Sequence, residues 1–187
     1  MGIVKEKEYE VHYYETNYKL ECKISSIINY FCDIGTKQSE ELGVGINYLM
    51  EKRLSWVFYK YDIRVKRYPK YGEKIKVVTM AKSFKKFYAS RGYEIYDENN
   101  EKIVDGEGIF LLINIDKRRA VRIPEDQYIA YGVDSENCSD IKLTKLEKLT
   151  KEMNKNHFKV RYGDIDSNMH VNNVKYVEWA VESLPLE

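Results

Sequence analysis

Toward the C-terminus the chain reads DIDSNMHVNNVKYVEW, residues 164–179. Asp164, Asp166, Asn168, His170 and Asn172 fall on alternate positions, and apolar residues recur only after Asn173. Such a set has the materials for proton transfer. An imidazole, with a reference pKa near 6.5, can take up and return a proton at neutral pH. A neighbouring acid or amide can fix its tautomer, and free N–H groups at a helix start are oriented donors toward developing negative charge. The same residues also suit a plainer purpose, a polar loop feeding a helix cap. Asn172 or Asn173 is a good N-cap in either case.

Val174, Val177, Val181 and Leu184 make an apolar stripe behind that cap, which predicts a helix. Ahead of it, Phe158, Val160 and Tyr162 alternate with Lys159 and Arg161, which predicts a strand. In miniature this order of strand, polar loop and helix repeats an opening strand and helix in residues 9–42. Tyr9, Val11 and Tyr13 alternate with Glu8, Glu10 and His12, and Ile24, Ile27, Ile28, Phe31, Gly35 and Leu42 then share one helical stripe. Gly43 and Gly45 suit the end of that helix. Two such openings suggest a tandem fold.

After Arg53 the pattern is that of strands. Val57, Tyr59, Tyr61, Ile63 and Val65 alternate with Phe58, Lys60, Asp62, Arg64 and Lys66, and Pro69 and Gly72 mark a turn. Ile75 and Val77 begin a second strand; Phe87, Ala89, Tyr93 and Ile95 belong to a third. Residues 97–102, DENNEK, connect it to a long strand from Ile103 to Ile115, and residues 114–121 turn back to a short strand ending at Pro124. In a regular strand Asp105 and Glu107 would share a face with Ile103 and Ile109; Gly106 and Gly108 favour a bulge over a buried acid pair. The fold class expected is α+β, a long central helix wrapped by an antiparallel sheet in residues 1–131. A polar, lysine-rich linker, 132–156, with a short helical piece near 143–153, leads to the start of a second unit in 157–187.

The 187 residues suffice for one good core, or for one unit and part of another. Lys+Arg 31 against Asp+Glu 30 gives a formal charge of +1, so no global field draws the chain to nucleic acid. The N-terminus MGIVKEKEYEV has no apolar run for a signal peptide and no good lipidation signal, and no stretch is long and apolar enough for a membrane span. A soluble, cytoplasmic protein is expected. Cys22, Cys32 and Cys138 are odd in number and lack ligand spacing, as expected of reduced thiols. No metal and no cofactor is expected, and His12 and His157 read as surface histidines.

The segment DIDSNMHVNNVKYVEW closely resembles the catalytic signature of the acyl-acyl carrier protein thioesterases, whose fold is a double hotdog. The resemblance continues through RVKRYPKYGEKIKVVT (64–79), SRGYEIYDENNEKIV (90–104) and NIDKRRAVRIPED (114–126), and so covers most of the chain. By position it implies Asp166, Asn168 and His170 as the catalytic acid, amide and imidazole, and hydrolysis of fatty acyl-acyl carrier protein by water. His170 would be the base, and Asp166 or Asn168 would orient its ring. Asp164 would support the loop. No cysteine follows Asp166 to act as a nucleophile. The first hotdog would hold the acyl chain along Ile24, Ile27, Ile28 and Phe31. Lys82, Lys85, Lys86, Arg118, Arg119 and Arg122 would offer docking charge to an acidic carrier protein. An acyl-CoA thioesterase and a non-enzymatic acyl-chain-binding module are the alternatives.

The pattern is incomplete after His170, where 17 residues remain. The second helix would gain roughly 6 to 12 kcal/mol from burying its four apolar side chains, at about 1.5 to 3 kcal/mol each, but finds no sheet within the chain. The family's further catalytic carboxylate, on those strands, has no counterpart here. The expectation is a fragment of a longer protein; a homo-oligomer whose second chain supplies the strands, or a stub that has lost catalysis, would also fit.

Overall fold

Strand β1 (Val4–Glu10) stops short of the expected Tyr13. The His12 N–H donates to the Glu15 carboxylate at 2.7 Å, and this curls Tyr13–Glu15 into a 3₁₀ turn. Helix α1 (Ile24–Glu41) follows, and buries Ile27, Ile28, Phe31, Ile34 and Gln38. It ends as its glycine predicts: Gly43 adopts φ 72°, and the Gly43 and Val44 N–H groups donate to the carbonyls of Glu40 and Ser39. Gly45 does not extend that stop; it precedes a short helix, α2 (Ile46–Glu51), absent from the sequence reading.

The computed structural model describes residues 2–134, 141, 155–166 and 169–184, in two units, Met1–Lys142 and Leu143–Glu187. In the first, β2 (Leu54–Val65), β3 (Lys74–Lys85), β4 (Tyr88–Tyr96), β5 (Lys102–Asn114) and the short β6 (Arg119–Ala120) join β1 in one antiparallel sheet. Its order is β1-β3-β4-β5-β2, with β6 on β5. The inner face of this sheet packs on α1. Ile27, Phe31 and Ile34 are fully buried with Val77, Ile95 and Val104, and Phe31 stacks on Tyr93 with ring centroids 4.4 Å apart. Each such aliphatic or aromatic side chain contributes about 1.5–3 kcal/mol on burial. This is the hotdog arrangement. A second cluster, Val44, Phe84, Leu112, Ile123 and Tyr131, closes the end beneath α2 and a further unpredicted helix, α3 (Glu125–Tyr131). Val133, assigned to the linker, is buried in that cluster.

Two side-chain assignments change. The pairing of β2 with β5 slips between Phe58 and Lys60, so Tyr59 is bulged out; Val57 and Tyr59 are exposed while Trp56 and Phe58 turn inward. Alternation cannot anticipate the slip, because one extra residue inverts every side chain beyond it. Conversely, β5 is regular through Gly106 and Gly108. No bulge lies there: the glycines face inward because larger residues would collide. A Cβ on Gly106 would lie 3.0 Å from Phe31, and one on Gly108 2.7 Å from Tyr61. Asp105 and Glu107 take the outer face, where Glu107 accepts from Ser90 and pairs with Lys82.

In the second unit, helix α4 (Asn173–Glu182) forms as predicted, but the strand before it does not. Residues 155–161 have no regular structure and are exposed, and Tyr162–Asp164 is a 3₁₀ turn. A strand is stable only when paired, and among the described residues of this unit there is no partner strand. Val174 is buried, whereas Val181 and Leu184 are 48% and 66% exposed. Phe158 instead lies flat on Trp179, with centroids 5.4 Å apart. Cys138 and the helical piece expected near 143–153 fall outside the described residues. Among those described, no helix is long and apolar enough to cross a membrane.

Candidate active site

The loop between the 3₁₀ turn and α4 is closed by its backbone. The Asp166 N–H donates to the His170 carbonyl at 2.8 Å, and the Met169 N–H to the Asp166 carbonyl at 3.0 Å. Ile165 and Val171 form an isolated antiparallel bridge. Met169 adopts φ 59°, the left-handed conformation that the tight reversal demands. Asp166 and His170 are thereby brought to one small loop, and Asn168 lies outside the described residues.

The Asp166 carboxylate accepts the backbone N–H of His170 at 3.2 Å. It therefore helps to shape the turn that presents the imidazole. His170 is exposed, and none of the described side chains hydrogen-bonds to its ring. Asn172 is the N-cap: its side chain accepts the Val174 N–H at 3.0 Å, and its carbonyl accepts the Lys175 N–H at 2.9 Å. These two bonds occupy donors at the helix start. The Asn173 N–H is the first-turn donor left unengaged among the described residues.

Asp164, by contrast, is buried, at 2% exposed. Its carboxylate accepts the Arg161 backbone N–H at 2.8 Å and faces the Arg161 guanidinium at 3.3 Å. The guanidinium, and then that N–H, hold its carboxyl below the ordinary carboxylate range.

In the first unit, Ile27, Ile28 and Phe31 are packed core residues and Ile24 lies at the edge of the same cluster. Of the six candidate docking cations, Lys82 stands apart, paired with Glu107 at 3.1 Å on the outer sheet face. Lys85 and Lys86 lie on the β3–β4 turn and Arg118 on the β5–β6 turn. Both turns are at one end of the sheet, since Lys85 pairs with Tyr88 and Tyr88 with Leu111. The Ile123 N–H donates to the Lys86 carbonyl at 2.8 Å, which brings Arg122 there too. Burial pushes the Cys22 thiol up to about 12, and raises that of Cys32, so neither resembles an activated nucleophile.

A family model described as the acyl-ACP thioesterase N-terminal domain matches residues 2–131, and one described as the C-terminal domain of the same thioesterase matches residues 147–187. The chain belongs to the acyl-ACP thioesterase family. A chloroplastic acyl-[acyl-carrier-protein] hydrolase of Cuphea viscosissima, FATB3, is 31% identical over 198 residues, which cover 100% of this chain and 48% of that protein. The chain thus spans about half the length of the curated relatives it matches. Among solved structures, the 12:0-ACP thioesterase from Umbellularia californica superposes with a TM-score of 0.78 at 25% identity, covering 97% of this chain and 75% of that one. An acyl-ACP thioesterase from Bacteroides thetaiotaomicron shares the fold with a TM-score of 0.85 at 21% identity, covering 97% of this chain and 74% of its own.

Sequence reasoning missed one feature of the site. The loop after β1 has the same length and the same backbone bonds as the loop before α4, and the signal was present in the equal spacing of Tyr13, Glu15 and Asn17 with Tyr162, Asp164 and Asp166. The alternation of Tyr9, Val11 and Tyr13 hides it, because it carries the strand pattern into the 3₁₀ turn at Tyr13–Glu15.

Proposed function

We propose that this protein hydrolyses fatty acyl-acyl carrier protein to free fatty acid and carrier protein, with His170 as the general base. The observation that carries the reading is the closed loop joining Asp166 and His170 at the start of α4, in a segment matched by the family's C-terminal domain. His170 takes a proton from water as the water oxygen bonds to the carbonyl carbon. The carbonyl oxygen gains negative charge, toward which the Asn173 N–H is a suitable donor. On collapse of the tetrahedral intermediate the carbon–sulfur bond breaks, and the proton held by His170 passes to the sulfur. Asn168 and Asp166 orient the imidazole in this scheme. No metal or cofactor enters it. A cytosolic, reducing location belongs to the same proposal, supported by the free thiols of Cys22 and Cys32.

The test is release of fatty acid, read by mass spectrometry, from a mixture of acyl-carrier-protein thioesters. His170→Ala is expected to lower kcat by at least about 100-fold, the lower range for loss of a general base, and Asn168→Ala to lower it as well. Equal turnover by the His170→Ala protein, or none above background by the unsubstituted one, would refute the assignment.

A further inference from the structure

The described residues 161–166 and 169–173 repeat the backbone design of residues 12–17 and 20–24. In the N-terminal copy the Asn17 N–H donates to the Glu21 carbonyl at 2.8 Å and the Leu20 N–H to the Asn17 carbonyl at 3.0 Å, the same bonds that Asp166 and Met169 make. Leu20 has φ 58° where Met169 has 59°, and the bridge Thr16–Cys22 matches Ile165–Val171. The side chains differ where reactivity would lie. Asn17, Lys19 and Glu21 occupy the positions of Asp166, Asn168 and His170.

Two roles are common to both: Asn17 accepts the Glu21 N–H at 3.1 Å as Asp166 accepts the His170 N–H at 3.2 Å, and an acid precedes each by two residues. Glu15 accepts the His12 N–H at 2.7 Å with its carboxylate and the Lys23 N–H at 2.9 Å with its carbonyl. Asp164 accepts the Arg161 N–H at 2.8 Å with its carboxylate and the Asn172 N–H at 2.8 Å with its carbonyl. Each carboxylate thus fixes the 3₁₀ turn that it ends, and the backbone carbonyl of the same residue, held by that turn, closes the neck of the loop immediately before a helix. An acid with this geometry in a copy that lacks the imidazole has nothing to do with proton transfer there. Its work is mechanical, and the matching work in the second copy is the same.

We propose that Asp164 is a positioning residue, whose carboxylate fixes the turn from Arg161 so that its own backbone carbonyl closes the neck of the loop and holds Asp166 and His170 at the start of α4, without touching substrate. The inference rests on the reading of His170 as the base, but amide hydrogen exchange on the 187-residue chain tests it independently of turnover. Asp164→Asn removes the charge and Asp164→Glu installs the acid that the N-terminal copy uses. Exchange at the Asp166, Met169 and Asn172 amides is expected to quicken about tenfold or more in Asp164→Asn, and to stay within about threefold of the unsubstituted chain in Asp164→Glu. Protected α1 amides in both variants certify that the first unit is folded. Unaltered protection in Asp164→Asn would overturn the proposal, as would unprotected Arg161 and Asn172 amides in the unsubstituted chain. In the thioester assay, Asp164→Asn lowers kcat and leaves both KM and the pH midpoint of kcat in place. A shifted or lost pH limb would give Asp164 a chemical role and overturn the proposal equally.

Discussion

At the scale of single residues, the two inward glycines of β5 show how the absence of a side chain can be a packing requirement. Gly106 leaves room for the edge of Phe31, and Gly108 leaves room for Tyr61 and Phe110, whose rings would lie 2.7 and 2.8 Å from an added Cβ. Phe31, Tyr61, Tyr93 and Phe110 form one connected aromatic group, with ring pairs 4.4–6.3 Å apart. A methyl group at Gly108 must displace rings that are already supported by their neighbours. Gly108→Ala is therefore expected to lower stability by about 1–3 kcal/mol, the usual cost of overpacking a core. Urea denaturation would show it as a lower midpoint with an unchanged slope. His170 and Asp164 illustrate the opposite case, in which what a side chain can do depends on how its loop is held.

At the scale of elements, the turns of the first unit are held to one another by an ionic link. Arg67, after β2, makes two bonds to Glu73 at 2.7 and 2.9 Å and one to Asp97, after β4, at 3.0 Å. Arg67 holds the Glu73 carboxyl below its ordinary range; the Glu101 backbone N–H, with Arg67 behind it, does so for Asp97. Depressed carboxyl values add stability that is fully present above the unfolded-state values near 4, and it disappears as pH falls through the lower folded values. Urea midpoints should thus be flat from pH 7 to about 5 and fall below about 4. Arg67→Met should lower the midpoint at pH 7 and flatten its decline on the acid side. A decline as steep as that of the unsubstituted chain would show that other carboxylates dominate it.

At the scale of the whole molecule, the near-neutral net charge conceals a local excess. Lys85, Lys86, Arg118, Arg119 and Arg122 gather at the end of the sheet formed by the β3–β4 and β5–β6 turns. There Asp116 is already paired with Arg53, at 2.9 Å from its Nε. An acidic carrier protein would be steered to such an end. Replacing Lys86 and Arg122 by Glu is expected to raise KM for the acyl-carrier-protein substrate several-fold, to weaken its dependence on ionic strength and to leave kcat unchanged. Steady-state kinetics at two salt concentrations would show it, and an unchanged KM would remove this end from the docking surface.

The sequence by itself determined the long helix, the number and order of the main strands of the first unit, the glycine stop at Gly43, a cap at Asn172 or Asn173 and the polar loop with its imidazole. These depend on periodicity and on local backbone chemistry, which neighbouring residues contain. The family resemblance, too, was legible in 164–179. Only the tertiary structure decided which way the first half of β2 faces, that Gly106 and Gly108 are seats for aromatic rings, and that Lys82 lies on the outer sheet face while the other docking candidates share one end. Each of these depends on a neighbouring strand or helix far away in the chain. The segment before the 3₁₀ turn at Tyr162 makes the same point from the other side. Its alternation is that of a strand, yet it remains irregular, because a strand requires a second backbone to hydrogen-bond with and no periodicity can supply one.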